Sequence, residues 1–255
     1  MPDFRVHLAQ APAPDAVELT LPPAESHHLV TVNRARLGDP VTAFDGQGYE
    51  WSCRLERIEG KKTTVLRVIS ASRRAPLPCS IVLGQGLPKG GTMDDIVRQA
   101  TELGAALIAP LATTRSEVHL DADRADKKLE KWRIAAVEAA KQCGNPFLPR
   151  IDPVQSLAGF LSGSPTRDAE LRLVASLHPG ARPLRAVLSD FRAAHEGRAP
   201  HSAAWLIGPE GDLTAQEVDA ALAAGWTPVT LGPLVLRCDT AAAYALAALR
   251  CETET

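Results

Sequence analysis

Over residues 4–69 apolar and polar positions alternate in short runs. Phe4-Arg5-Val6-His7-Leu8, Val17-Glu18-Leu19-Thr20-Leu21 and Tyr49 through Ile58 each step with the period of two that a half-buried strand imposes. Val41-Thr42-Ala43-Phe44 runs into a turn at Asp45-Gly46, and the β-branched run Thr63 to Ile69 follows a Glu59-Gly60-Lys61-Lys62 turn. One short helix fits Glu25–Asn33. Many short strands separated by turns predict a small β-barrel. Residues 70–78 are rich in Pro, Arg, Ala and Ser and read as a linker. Beyond them the texture changes. Residues 79–84 form a near-continuous apolar run, as in a strand buried on both faces. Helical periodicity is read over Thr92–Leu103, Arg124–Gln142, Arg182–Ala194, Thr214–Ala224 and Thr240–Arg250. Strands at Ala106–Leu111, Arg172–Ser176 and Ala203–Ile207 fall between them. Strands alternating with helices predict an α/β domain on a largely parallel sheet. The expected division is residues 1–74 for the barrel and 75–255 for the α/β domain.

Composition narrows the class. Hydrophobic residues make up 45% and charged residues 23% of the 255, as in an ordinary globular protein. That excludes a disordered chain, a collagen and a disulfide scaffold. Aromatics are only 4%, so Ala, Leu and Val must build the core. No apolar run approaches the roughly 20 residues of a membrane span. Met1-Pro2-Asp3-Phe4-Arg5 lacks a secretory apolar segment, so a cytoplasmic location is expected. Cys53, Cys79, Cys143, Cys238 and Cys251 make no C-x-x-C pair, and the only adjacent histidines, His27-His28, point apart on any regular element. No metal site is expected. Net charge is −2. Residues 1–74 hold 10 Lys+Arg against 9 Asp+Glu and the remainder 18 against 21, so neither part is broadly basic.

Three loops carry candidate chemistry. Gly84-Gln85-Gly86-Leu87-Pro88-Lys89-Gly90-Gly91-Thr92 looks like a phosphate loop. It fails the dinucleotide pattern because Lys89 takes the place of the third glycine, and no G-K-[ST] closes it. Ile207-Gly208-Pro209-Glu210-Gly211-Asp212-Leu213-Thr214 leaves the carboxyl end of a buried strand, where open α/β sheets bind ligands. Its glycines allow close backbone approach, and Thr214 to Glu217 form a capping box. Leu231-Gly232-Pro233-Leu234-Val235-Leu236-Arg237-Cys238-Asp239-Thr240 leads into an Ala/Leu helix capped by Asp239 or Thr240. An apolar loop with free backbone groups suits an adenine. On chemistry alone the glycine loops also fit plain strand-to-helix turns, and Arg237 an ordinary salt bridge.

Residues 206–214 with Glu217, and residues 231–241, resemble the signature of the RsmE family of the SPOUT superfamily. Thr101-Glu102-Leu103-Gly104, Pro110, Arg115-Ser116, Trp132, Glu138 to Asn145 and Pro149 look like further family blocks. His28-Leu29, Val32, Arg34 and Gly38-Asp39 resemble its N-terminal PUA-like barrel. The family usually has a basic residue where Leu234 stands, Glu where Asp239 stands and, commonly, Arg where Asn145 stands.

The resemblance implies a SPOUT-type α/β domain with a trefoil knot, an RNA-binding PUA-like β-barrel, and a homodimer through the knot domain. It also implies methylation of N3 of a uridine in 16S ribosomal RNA, free or in the small ribosomal subunit, from S-adenosyl-L-methionine. The helices at 214–224 and after Thr240 are candidates for the dimer interface. Arg237 is the expected catalytic residue. It would steady charge developing on the uracil carbonyls, since a guanidinium does not act as a base. The cofactor would lie against Leu177, His178, Leu206, Ile207, Gly208, Pro209, Glu210, Gly211, Leu231, Gly232, Leu234, Leu236, Arg237 and Thr240. Arg34, Arg36, Arg73, Arg74, Lys89, Arg98 and Arg115 are the expected RNA contacts. Two alternatives stay open: another SPOUT RNA methyltransferase with a different target base or sugar, and a non-catalytic RNA-binding module.

Overall fold

The computed structural model describes residues 4–13, 15–59, 63–116, 122–177 and 180–254. The chain divides into two units, Met1–Pro76 with Ala140–Leu148, and Leu77–Ala139 with Pro149–Thr255.

In the first unit the alternating runs become β1 (Phe4–His7), β2 (Glu18–Thr20), β3 (Pro40–Phe44), β4 (Tyr49–Glu59) and β5 (Thr63–Arg73). They form one sheet in the order β1-β3-β4-β5-β2, parallel at β1–β3 and antiparallel elsewhere. The period of two shows directly in β4, where Trp51, Cys53 and Leu55 are buried and Ser52 and Arg54 between them are exposed. The buried set packs with Val6, Leu19, Val41 and Leu66.

Two expectations need correcting here. The helix expected at Glu25–Asn33 is α1 (Pro23–His27) followed by one wider π turn, His28–Val32. Asn33 N–H reaches back to the His28 carbonyl at 2.9 Å, and the turn buries Leu29. The linker expected from Ser70 starts later, because β5 runs on to Arg73, pairing Ser72 with Glu50 and Arg73 with Tyr49. Pairing with the long β4 overrides the weak strand preference of that stretch.

The second unit contains β6 (Ser80–Gly86), α2 (Thr92–Glu102), β7 (Ala105–Ala112), α3 (Ala122–Cys143), β8 (Arg150–Ile151) and β9 (Gln155–Ser156). The last turn of α3 counts with the first unit. Then come α4 (Leu157–Ser162), α5 (Ser164–Arg167), β10 (Leu171–Ala175), β11 (Arg182–Pro183), α6 (Leu184–Ala194), β12 (Ser202–Ile207), α7 (Ala215–Ala223), β13 (Thr227–Thr230) and α8 (Cys238–Thr253). The sheet is parallel in the order β11-β13-β10-β12-β6-β7-β8, with β9 beside β7. The continuous apolar runs of β6 and β12 are explained by cover on both faces. Ile81, Leu83, Trp205 and Ile207 pack under α2, α3, α6 and α8. Val82, Ala204 and Leu206 pack under α4 and α7. The pair of short helices α4 and α5 has no counterpart in the sequence reading.

Helix α8 starts at Cys238, earlier than the expected Thr240, and no side chain caps it; Arg237 is its extended N-cap residue. Asp239 lies in the first turn, where a carboxylate favours the helix dipole. Near its other end, Arg250 is buried. Its guanidinium donates to the carbonyls of Cys79 (2.9 Å), Gly104 (2.8 Å) and Leu103 (3.4 Å), joining α8 to the start of β6 and the α2–β7 turn.

Candidate functional site

The carboxyl ends of β10, β12 and β13 open onto a cavity of about 330 Å³ in the second unit. Its walls are the residues just after β10, the loop after β12, and the segment joining β13 to α8. Of the residues expected at a ligand, Leu177, Ile207, Gly208, Pro209, Glu210, Leu231, Leu234, Leu236 and Arg237 line it. Leu206, Gly211, Gly232 and Thr240 do not. Leu206 is fully buried on the α4–α7 side of the sheet, Gly232 bends the chain at φ +118°, and Thr240 is exposed in the first turn of α8. His178 lies outside the described residues. Ala175, Ser176, Asp212, Val235, Cys238 and Ala241 also line the cavity. Asp212, Val235, Cys238 and Ala241 belong to the two motifs but were given no contact with the ligand, and Ala175 and Ser176 end the strand before Leu177.

The loop after β12 is tightly wound. Asp212 N–H donates to the Pro209 carbonyl at 2.9 Å, and Asp212 takes a left-handed conformation (φ 60°) that Asp tolerates better than most residues. Its Oδ1 accepts Leu213 N–H at 2.8 Å. A Cβ at Gly208 would lie 2.9 Å from that oxygen and 3.1 Å from Leu213 N, so the winding requires glycine there. Glu210 accepts Lys89 N–H at 3.0 Å, bracing the loop against the stretch before α2. Beneath it the buried Gln85 donates through Nε2 to the carbonyls of Gly86 (2.9 Å) and Gly208 (3.1 Å). The sequence reading placed Gln85 in the glycine-rich stretch after the first strand of this unit but gave it no role. Its one signal was a polar residue directly following the apolar run of β6.

Two polar groups bear on chemistry in the cavity. Arg237 is largely exposed at the rim, its Nε 3.3 Å from Asp239 Oδ1. Burial, together with the charge of Glu210, pushes the Cys238 thiol above its ordinary value. Cys238 is therefore a poor nucleophile and serves as a small apolar wall. The expected capping box is present. Thr214 Oγ1 accepts Glu217 N–H at 3.2 Å, and Glu217 Oε2 accepts Thr214 N–H at 2.8 Å. Burial pushes the Glu217 carboxyl up, but hydrogen bonds from Thr114 and Thr214 outweigh it and hold the group below its usual value.

The expected RNA contacts fall on both units. In the first, Arg34 and Arg36 are exposed beside the turn after α1. Arg73 lies 5.2 Å over the Tyr49 ring, and Arg74 is 3.7 Å from Glu50. In the second, Lys89 and Arg98 are exposed, Arg98 pairing with Asp95 at 3.2 Å. Arg115 donates to the Gly211 carbonyl at 2.7 Å. No helix among the described residues is long and apolar enough to cross a membrane.

A family described as RNA methyltransferase domain matches residues 75–250, and one described as RNA methyltransferase PUA domain matches residues 21–69. Ribosomal RNA small subunit methyltransferase E of Bacillus subtilis is 31% identical over 255 residues, covering 100% of this chain and 98% of that protein. The protein of that name from Synechocystis is 30% identical over 237 residues, covering 93% and 74%. Among solved structures, a Legionella pneumophila protein with bound SAM aligns with a TM-score of 0.86 at 29% identity, covering 99% of this chain and 98% of that one. Ribosomal RNA small subunit methyltransferase E from Neisseria gonorrhoeae, bound to S-adenosyl methionine, aligns with a TM-score of 0.83 at 27% identity, covering 98% of each.

Proposed function

Because this chain belongs to the RsmE family of RNA methyltransferases, we propose that it transfers a methyl group from S-adenosylmethionine to N3 of a uridine in 16S ribosomal RNA. The observation that carries this reading is the cavity lined from the loop after β12 and from the segment joining β13 to α8, with Arg237 on its rim. The residues there fit the cofactor. The volume is that of a small-molecule site and the lining is mostly apolar. Ile207, Leu231, Leu234 and Leu236 would hold the adenosine part. Bound there, S-adenosylmethionine supplies an electrophilic methyl group.

This chain's own residues then do three things. The loop after β12 fixes the donor's position, and proximity in line supplies much of the barrier reduction in a two-substrate transfer. The apolar walls keep water from the reacting centre. Arg237 faces the open side, where its guanidinium would meet charge developing on the uracil oxygens as N3 loses its proton. Asp239, 3.3 Å from its Nε, restrains the swing of the exposed side chain.

The PUA-like unit with Arg34, Arg36, Arg73 and Arg74, and the cations Lys89 and Arg98, complete the proposal on the RNA side. RNA affinity should fall steeply as salt rises. The proposal includes a homodimer through the α/β unit, supported by the exposed Tyr244 on α8 and Leu222 on α7, and the trefoil knot of the family resemblance. Mass mapping of methylated nucleosides in small-subunit RNA, from cells with and without the gene, tests the reaction. Loss of one N3-methyluridine is expected; loss of a different methylated nucleoside would assign the chain another target.

The cavity wall itself can be displaced from behind. A Cβ at Gly86 would lie 2.6 Å from Pro209 Cδ and 2.7 Å from Pro209 N, a clash only backbone movement relieves. Gly86→Ala is expected to weaken S-adenosylmethionine binding about tenfold, the size of a misplaced wall costing roughly 1.4 kcal/mol. Calorimetry reads it directly, and unchanged affinity would show that Pro209 does not contact the cofactor.

A further inference from the structure

We propose that Arg115 is a positioning residue for the Pro209–Asp212 wall of the cavity, acting through the Gly211 carbonyl rather than on RNA. The inference rests on reading that cavity as the S-adenosylmethionine site. Arg115 does not itself line it. Its Nη1 donates to Gly211 O at 2.7 Å, and its aliphatic stem lies flat on the same residue. A Cβ at Gly211 would sit 3.1 Å from Arg115 Cβ and 3.4 Å from its Cδ. The tight fit against the arginine therefore favours glycine at 211.

The base from which Arg115 projects is rigid. Thr113 and Ser116 close a buried turn around it, their hydroxyls 2.8 Å apart and Ser116 N–H on the Thr113 carbonyl at 3.0 Å. Thr114 N–H (2.8 Å) and Oγ1 (3.0 Å) both donate to Glu217 Oε1, while Oε2 of the same carboxylate caps α7. One side chain thus fixes the 113–116 turn to the end of the cavity loop, and Arg115 reaches from that turn to the loop's middle. Gln85 holds the loop's beginning at the Gly208 carbonyl. Between those two ends the loop is tied outward by the Lys89 N–H bond to Glu210 and by Arg115 on Gly211, and the left-handed Asp212 beyond Gly211 is held by bonds within the loop. A charge-assisted bond to a carbonyl contributes more than a neutral one. Arg115 also cannot give the same donor to a phosphate while it holds Gly211.

The test compares wild type, Arg115→Ala and Arg115→Lys, the lysine keeping a donor group and the positive charge. Hydrogen exchange of the Gly208–Leu213 amides, without ligand, reads the loop directly. In Arg115→Ala it should quicken about tenfold, the loss of one charge-assisted hydrogen bond, and largely recover in Arg115→Lys. S-adenosylmethionine Kd and KM should rise about fivefold to tenfold in the alanine variant with kcat little changed. Binding of 16S RNA should keep the wild-type salt slope. Unchanged exchange overturns the proposal whatever the ligand. So does a salt slope smaller by about one unit with unchanged cofactor affinity, the mark of a lost phosphate contact. Wild type giving no heat with S-adenosylmethionine would sink the cofactor reading, while the exchange data still decide whether Arg115 positions the loop.

Discussion

Arg237→Ala should lower kcat about 10²–10³-fold, the usual cost of removing one preorganised donor from developing negative charge. The same variant should change S-adenosylmethionine affinity by less than about threefold, because an exposed rim side chain adds little to an apolar pocket. The split follows from geometry. Arg237 lines the cavity but is largely exposed, and it pairs with Asp239. Arg237→Lys should recover part of the rate, since a point charge remains while the planar fork is lost. Single-turnover methylation of 16S RNA with saturating cofactor measures the chemical step. Turnover near that of wild type in the alanine variant removes Arg237 from the catalytic role and leaves the cavity without a charge-stabilising side chain.

The largest stability effect is expected at Arg250. Its buried guanidinium meets three main-chain carbonyls from two other segments. Burial pushes its pKa below the ordinary arginine value, which expresses the cost of taking the charge out of water. The carbonyls and the nearby Glu254 (3.8 Å) offset that cost. Arg250→Ala leaves carbonyls without a donor and a cavity at the junction of α8, β6 and the α2–β7 turn. About 3 kcal/mol of stability should be lost, from charged hydrogen bonds worth about 1.5–3 kcal/mol plus lost packing. Arg250→Lys should lose roughly 2 kcal/mol, since an ammonium cannot span the same spread of carbonyls. Urea unfolding followed by Trp fluorescence reports on this unit through the buried Trp132 and Trp205. A loss under about 1 kcal/mol for the alanine variant would mean that water replaces the guanidinium at little cost.

What the sequence makes legible follows from how local each signal is. Alternation located β4, because the burial of Trp51, Cys53 and Leu55 depends only on the sheet having one covered face. The capping box at Thr214 and Glu217 was readable for the same reason, both partners lying within one helical turn. Glu217 also shows where locality ends. Its second oxygen serves Thr114, and nothing in the spacing of the two residues announces that bond. Gln85 and Arg115 belong to the same class. An uncharged polar residue in a strand and an arginine in a loop look generic until folding brings Gly208 and Gly211 to them. The extension of β5 to Arg73 fails for a related cause, since the pairing partner rather than the composition decides where a strand ends. Glycine at 211 was read as room for a ligand, whereas a Cβ there would press on the Arg115 side chain.

The place of β12 in the sheet governs how the second unit comes into being. β6 gains β7 as soon as the chain has been made that far, but its other edge pairs with β12, which follows β7 through β11 in the sequence. Until then the bare edge of β6 presents unpaired backbone groups within an apolar strand, the kind of edge that invites association with another chain. Parallel pairing over such a separation is slow, because loop-closure entropy is lost before the contacts that offset it can form. A nascent chain therefore carries an open sheet until β12 slots between β10 and β6. The cavity, lined from the ends of β10 and β12 and from the segment joining β13 to α8, exists only after that closure. Premature termination before β12 thus leaves an association-prone chain with no binding site, rather than a shortened enzyme of lower activity.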